Sequence, residues 1–361
     1  MPSIAEVQEQ LTGPGGPFEI VEEEVLGEKM AVFKQRKRSL REFLETSTGH
    51  GDKEYLVHGD WRISFAEHLG LVARCARSLR ERYGIEKGDR VAILAANCNE
   101  WVIAMWATHA LGGIVASLNG WWTRDEIRYG VELSEPKVVI GDRRRLERIA
   151  GDDLGAPQVE IESSFGELLE GEECALPEAT IAEDDPAVIL FTSGTTGRPK
   201  GALGSQRGII GFVQQQLANG AIRAFASGRL PKPDAPQLCT LATAPLFHLS
   251  GMYAVATLNL VTGGKIVFRS GRFDAGDALR LIEREKVTSW TPFGSMLHRV
   301  IEHPDLATRD VSSVTNTGFG GSPASLDVQA KARQAFPRAA SNAAIGYGSS
   351  ETVAVVASIS G

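Results

Sequence analysis

Cysteine is scarce and its spacing is irregular. Cys75, Cys98, Cys174 and Cys239 are four residues in 361, with no closely spaced pair. That pattern excludes a disulfide framework or a cysteine-based zinc site and fits reduced thiols in a cytoplasmic protein. Basic charge is not in excess either. Lys and Arg number 38 against 45 Asp and Glu, a net charge of −7, so no nucleic-acid partner is expected. The N-terminus lacks a signal-peptide pattern, because Met1 to Glu24 is polar, acidic and broken by Gly13-Pro-Gly-Gly-Pro17. Residues 1–39 are expected to form a loosely ordered arm and lead-in.

Long apolar runs are few, and each is interrupted. Trp101 to Trp122 contains no Asp, Glu, Lys or Arg and is long enough to span a bilayer. Gly112-Gly113 divides it into a helical half, Trp101–Leu111, and a β-branched run, Ile114–Leu118. A buried helix followed by a parallel strand reads that way. The run Cys239 to Gly264 divides similarly at Pro245 and Gly251. These breaks favour buried elements over membrane spans, although peripheral membrane contact would suit an enzyme that draws lipid substrates.

Short β-branched runs alternate with helical stretches along the chain. Strands are expected at Arg90–Ala95, Ile114–Leu118, Lys137–Ile140, Val188–Phe191, Leu241–Ala244, Lys265–Phe268 and Ser289–Thr291. This alternation implies an α/β fold of mostly parallel sheets flanked by helices, with ligands at the carboxyl ends of the strands. The acidic stretch 151–185 is expected to join two α/β subdomains, 40–180 and 181–361. The mixed-charge cluster Asp142-Arg-Arg-Arg-Leu-Glu-Arg148 reads as a solvated helix face.

What is present, and unusual, is Ile189-Leu-Phe-Thr-Ser-Gly-Thr-Thr-Gly-Arg-Pro-Lys-Gly201. An apolar strand empties into a loop of hydroxyls and glycines that ends on one lysine. Gly194 and Gly197 permit close backbone approach to an anion, while Thr192, Ser193, Thr195 and Thr196 offer hydroxyl donors. Lys200 adds a positive charge, and Pro199 stiffens the approach to it. A Walker loop requires Gly before the lysine and Ser or Thr after it. Pro199 and Gly201 stand there instead, so a P-loop NTPase is disfavoured.

This loop resembles the phosphate loop of the acyl-adenylate-forming superfamily. Ala244-Pro-Leu-Phe-His-Leu-Ser-Gly-Met-Tyr253, Thr317-Gly-Phe-Gly-Gly-Ser-Pro323 and Ile345-Gly-Tyr-Gly-Ser-Ser-Glu-Thr352 follow it in the order that the same family shows. Lys87 to Asn119 is similar to the family's first α/β unit. The resemblance implies that Thr192–Gly197 and Lys200 hold the ATP phosphates and that Gly320, Gly321, Ser322, Tyr347 and Gly348 surround adenine. It further implies that Ser350 donates to the α-phosphate, where the family usually has Thr, and that Glu351 binds Mg²⁺. His248, Gly251, Met252 and Gly318 would border the acyl substrate, with His248 orienting it or gating entry. His248 is not expected to act as a base, since a carboxylate is already ionised at neutral pH.

The resemblance therefore implies activation of a carboxylic acid by ATP to an acyl-adenylate, followed by transfer to coenzyme A as co-substrate. Among acids, a fatty acid is the expected choice and aryl or sterol-derived acids remain open. Trp121-Trp122 replaces a more polar pair common in the family, as packing or to narrow a channel. An acyl-AMP ligase or a carrier-loading adenylation domain would share these residues, and a non-catalytic nucleotide-binding module is the alternative of another class. Family members continue into a C-terminal lid with a second lysine, which has no counterpart in 1–361. Residues 1–361 are accordingly expected to be inactive alone.

Overall fold

Apolar β-branched runs become buried strands throughout the chain. The computed structural model describes all residues except 1, 193–197, 229, 231–234, 320–324, 340–342, 350, 353 and 361, with 319, 326, 343–347 and 354–360 described as backbone. In chain order the strands are β1 (Ile20–Val25), β2 (Glu28–Phe33), β3 (Glu54–His58), β4 (Trp61–Ser64), β5 (Arg90–Leu94), β6 (Ile114–Ser117), β7 (Val138–Gly141) and β8 (Gln158–Glu160). There follow β9 (Pro186–Thr192), β10 (Lys200–Ser205), β11 (Cys239–Ala242), β12 (Lys265–Phe268), β13 (Ser289–Trp290), β14 (Asn316–Phe319), β15 (Ala343–Ser349) and β16 (Ala354–Ser360). Every strand expected from the sequence is present, with its ends shifted by at most two residues.

The strands form two large sheets and a hairpin. One sheet runs β10-β9-β6-β5-β7-β8 and the other β16-β15-β14-β13-β11-β12-β3-β4. Within these two sheets, among the described residues, pairing is parallel except for β9–β10, β3–β4 and β15–β16. The sheets exchange strands across residue 180, since β9 and β10 complete the first sheet while β3 and β4 extend the second. Between them lies the helix Asn99–Ala110, whose every residue is buried except Glu100. It ends where the sequence breaks at Gly112, which adopts φ +72 before β6 begins. No helix among the described residues is long and apolar enough to cross a membrane.

The N-terminal arm is more ordered than its composition predicts. Ser3 and Glu6 form a capping box that starts the helix Ile4–Thr12, and this helix buries Val7 and Leu11 against Ile222. β1 and β2 pair as a hairpin over Ile20↔Phe33 to Val25↔Glu28. Arg36 fastens this region by donating to Glu23 at 2.7 Å and to Glu183 at 3.0 Å. Only two side chains of this short helix, Val7 and Leu11, are buried, and β1 is rich in glutamate, so the order comes from partners far along the chain.

Histidines are also built into the core as neutral groups. Both ring nitrogens of His68, and Nδ1 of His109, are buried without a hydrogen-bond partner, and burial pushes each pKa down to about 3. The unfolded chain takes up these protons near pH 6.5, whereas the folded one resists until about 3. Their contribution is therefore fully present above pH 6.5 and is lost as pH falls toward 3, on the order of 2 kcal/mol per histidine by pH 5. Replacing His68, whose ring meets Tyr55 edge-on at 4.8 Å, should remove its share. Urea unfolding of His68→Phe at pH 7 and pH 5 should show a smaller acid-induced loss than wild type; an equal loss would contradict this.

Candidate functional site

The hydroxyl-rich loop is mounted on the β9–β10 hairpin. Val188 and Leu190 bury the β9 side of it, and Lys200 pairs directly across from Thr192. A segment of seven residues, 193–199, thus starts and finishes at one point on the sheet. Ser193, Gly194, Thr195, Thr196 and Gly197 lie outside the described residues. Pro199 is buried, while Lys200 beside it is exposed at the mouth of the loop. The Arg198 guanidinium sits 5.4 Å from the centre of the Tyr129 ring, a cation–π contact that turns this charge onto the helix Arg124–Ser134.

Asn97 joins the two sheets at their carboxyl ends. It stands just past β5, and its Nδ2 donates to the Ala244 carbonyl at 2.7 Å while its Oδ1 accepts from Leu246 N at 2.8 Å. Both partners belong to the chain leaving β11, which leads to His248. His248 is half-buried, and burial lowers its pKa. Its ring lies 4.7 Å from Phe247 and 6.3 Å from Trp121, and Trp121 meets Phe247 edge-on at 5.1 Å.

The tandem tryptophans separate into two roles. Trp122 is buried and packs on Phe191 at 5.0 Å, next to Thr192, and Gly130 leaves the space for its ring. Trp121 is 67% exposed and faces the other sheet. Arginines hold the loop that carries both. Arg145 Nε donates to the Gly120 carbonyl at 2.9 Å, and Arg148 Nη1 donates to Gly120 at 3.1 Å and Trp122 at 2.8 Å. Arg145 also pairs with Asp142, whose other contact is Ala96 N at 2.8 Å. The cluster 142–148 is therefore only partly the solvated face that its mixed charge suggests, because carbonyl partners 25 to 28 residues away draw two of its arginines inward.

A cleft of about 590 Å³ lies between the two sheets, lined by Asn97, Trp121, Arg145, Arg148, Thr243 and Phe247 among others, while Thr192, Lys200, His248, Gly318 and Glu351 are not part of its lining. The remaining candidates are spread unevenly. Gly251 is buried, and a Cβ there would stand 2.1 Å from the Pro245 carbonyl oxygen, so backbone packing requires this glycine. Met252 is fully buried in the main core. Gly318 on β14 faces Thr291, where a Cβ would meet Oγ1 at 2.9 Å. Gly320, Gly321, Ser322 and Ser350 lie outside the described residues, as does the Tyr347 side chain. Gly348 is exposed on β15, and Glu351 is exposed just beyond that strand.

The carboxyl ends of β11, β14 and β15 share one edge of their sheet, and those of β5, β6, β7 and β9 share one edge of the other. A single edge thus gathers His248, Gly318 and Glu351, while Thr192 and Trp121 come from the other sheet. Asn97 was missed in the sequence. Its only signal is a polar residue immediately after a buried strand, where α/β sheets place ligand contacts.

The AMP-binding enzyme pattern matches residues 43–360. The chain belongs to the AMP-binding enzyme family. This AMP-binding domain is 28% identical over 319 residues to a 4-coumarate–CoA ligase from Humulus lupulus, covering 83% of the chain and 55% of the relative. It is 31% identical to the 2-succinylbenzoate–CoA ligase of Bacillus licheniformis, covering 85% of the chain and 59% of the relative. It thus spans little more than half the length of these curated relatives. The inhibitor-bound N-terminal domain of FACL13 from Mycobacterium tuberculosis shares its fold with a TM-score of 0.74 and 23% identity, over 88% of this chain and 77% of that one. Two mostly parallel sheets flanked by helices are therefore the architecture of this family's N-terminal domain.

Within the AMP-binding domain, the amide bridge is open to direct test. Asn97→Ala removes the Nδ2 bonds to the Ala242 and Ala244 carbonyls and leaves Leu246 N without its acceptor, so we expect a stability loss of about 1–3 kcal/mol in urea unfolding. A loss below 0.5 kcal/mol would show that the bridge is dispensable.

Proposed function

We propose that this domain activates a carboxylic acid with ATP, forming an acyl-adenylate and then a thioester of coenzyme A. The observation that carries this reading is the β9–β10 hairpin, which places Lys200 opposite Thr192 at the ends of the Ser193–Gly197 hydroxyl and glycine loop. Such a loop suits a triphosphate, and the family match extends over the segments with Tyr347, Ser350 and Glu351.

In this reading the acid's carboxylate oxygen attacks the α-phosphorus of ATP, the bond to the bridging oxygen breaks and pyrophosphate leaves. No general base is required. Lys200 neutralises charge building on the phosphates, Ser350 donates to the α-phosphate and Tyr347 stacks on adenine. Mg²⁺ would add further neutralisation, and Glu351 suits it as an exposed carboxylate. The coenzyme A thiol then attacks the acyl carbonyl and AMP leaves.

The acid is read as one with an apolar body, with Phe247, His248 and Trp121 at the entrance. A fatty acid is the first choice. An aromatic acid is the second, favoured by relatives named as coumarate, ferulate and succinylbenzoate ligases at 28–31% identity. Because Gly251 answers to backbone packing, it gives the fatty-acid form no special support.

Acid-dependent ATP–pyrophosphate exchange by the complete gene product, run with fatty and aromatic acids, tests this reading. We expect exchange with one class and a drop of roughly 100-fold in kcat/KM on Lys200→Ala. Silence with every acid from a folded protein would overturn it.

A further inference from the structure

Trp121 combines exposure with constraint. Its side chain is 67% exposed, yet its backbone is fixed on all sides. Trp121 N donates to Asn119 Oδ1 at 2.9 Å, and the carbonyls that flank it, Gly120 and Trp122, are held by Arg145 and Arg148. Thr123 then caps the following helix, with Thr123 N donating to Glu126 Oε2 at 2.8 Å. Two cations, a capping box and the buried Trp122 hold a large apolar ring out toward the cleft. Among the described residues, the aromatic contacts of that ring are with Phe247 and His248 on the opposite sheet. Because Arg145, Arg148 and the capping box hold the loop, the indole keeps a fixed place beside Phe247 and His248.

We infer that Trp121 is the positioning residue for His248, wedging the imidazole from the side of the first sheet so that it presents one orientation to the acid. The inference rests on the proposed acid-activating role. Phe247 lies against the imidazole from its own loop at 4.7 Å, and Trp121 approaches it from the other sheet at 6.3 Å with the rings inclined at 61°. Trp122, one residue on, packs on Phe191 beside Thr192. The same short loop therefore ties the acid side of the site to the hairpin that carries Lys200.

Two measurements separate this inference from the function it rests on. The first uses residues 1–361 and needs no turnover: the His248 ring-proton resonances, identified by their loss in His248→Gln. Trp121→Ala should shift them as the indole ring current disappears, and Trp121→Phe should restore most of the position. Unchanged resonances in Trp121→Ala would overturn the contact. The second uses exchange by the complete gene product, where Trp121→Ala should raise the KM for the acid roughly tenfold, with the KM for ATP changed less than about twofold, and Trp121→Phe should recover it. Equal changes in both KM values would show a merely structural role and contradict the inference. If wild-type protein shows no exchange, the proposed function fails while the resonances still decide whether Trp121 positions His248.

Discussion

Asn97 reaches from the end of β5 to the chain leaving β11, and one carboxamide satisfies the Ala244 carbonyl and the Leu246 amide. Each sheet alone would present half of a site at its carboxyl edge. The first carries Thr192, Lys200 and the tandem tryptophans; the second carries His248, Gly318 and Glu351. A side-chain amide suits the junction because it donates and accepts at once, so neither backbone group of the departing chain is left without a partner. The helix Asn99–Ala110 begins two residues later and is buried along nearly its whole length between the sheets. Bridge and helix together bring two carboxyl edges into one cleft.

A second layer of the same logic uses arginine. Arg145 and Arg148 spend their donors on backbone carbonyls of the 120–122 loop, fixing a segment that has no regular secondary structure. Planar guanidinium groups fan several N–H donors from one centre, so one short helix clamps a loop more than twenty residues away in sequence. Ordering that loop gives Trp122 its packing on Phe191 and Trp121 its place beside His248. One clamped loop thereby links the β9 end, through Phe191, to the Phe247–His248 corner of the other sheet.

Much of this was legible in the residues. Parallel strands announced themselves as buried β-branched runs, and β12 matches its expected limits at Lys265–Phe268. The strand leading into the glycine and hydroxyl loop was expected at Val188–Phe191, whereas its antiparallel partner β10 was not, because Lys200–Ser205 carries only two apolar side chains among glycines. What stayed hidden depends on distant partners. The N-terminal helix owes its order to Ile222, and Arg36 to Glu183, neither of which local periodicity reveals. The 142–148 cluster looked like a solvated face because charge sign in sequence says nothing about carbonyls on another loop. Gly251 was expected to border the acyl substrate, and nothing in its sequence neighbourhood announced that the Pro245 carbonyl oxygen stands where a side chain would have to go.

The central claim is that two separate carboxyl edges make one adenylate site. A crystal structure of residues 1–361 with a non-hydrolysable acyl-adenylate analogue tests it most directly. The account predicts the phosphate at Lys200 and the 193–197 loop, adenine beside 320–322 and Tyr347, and the acyl group passing His248. A ligand held by one sheet alone, or seated away from the Asn97 bridge, would contradict it.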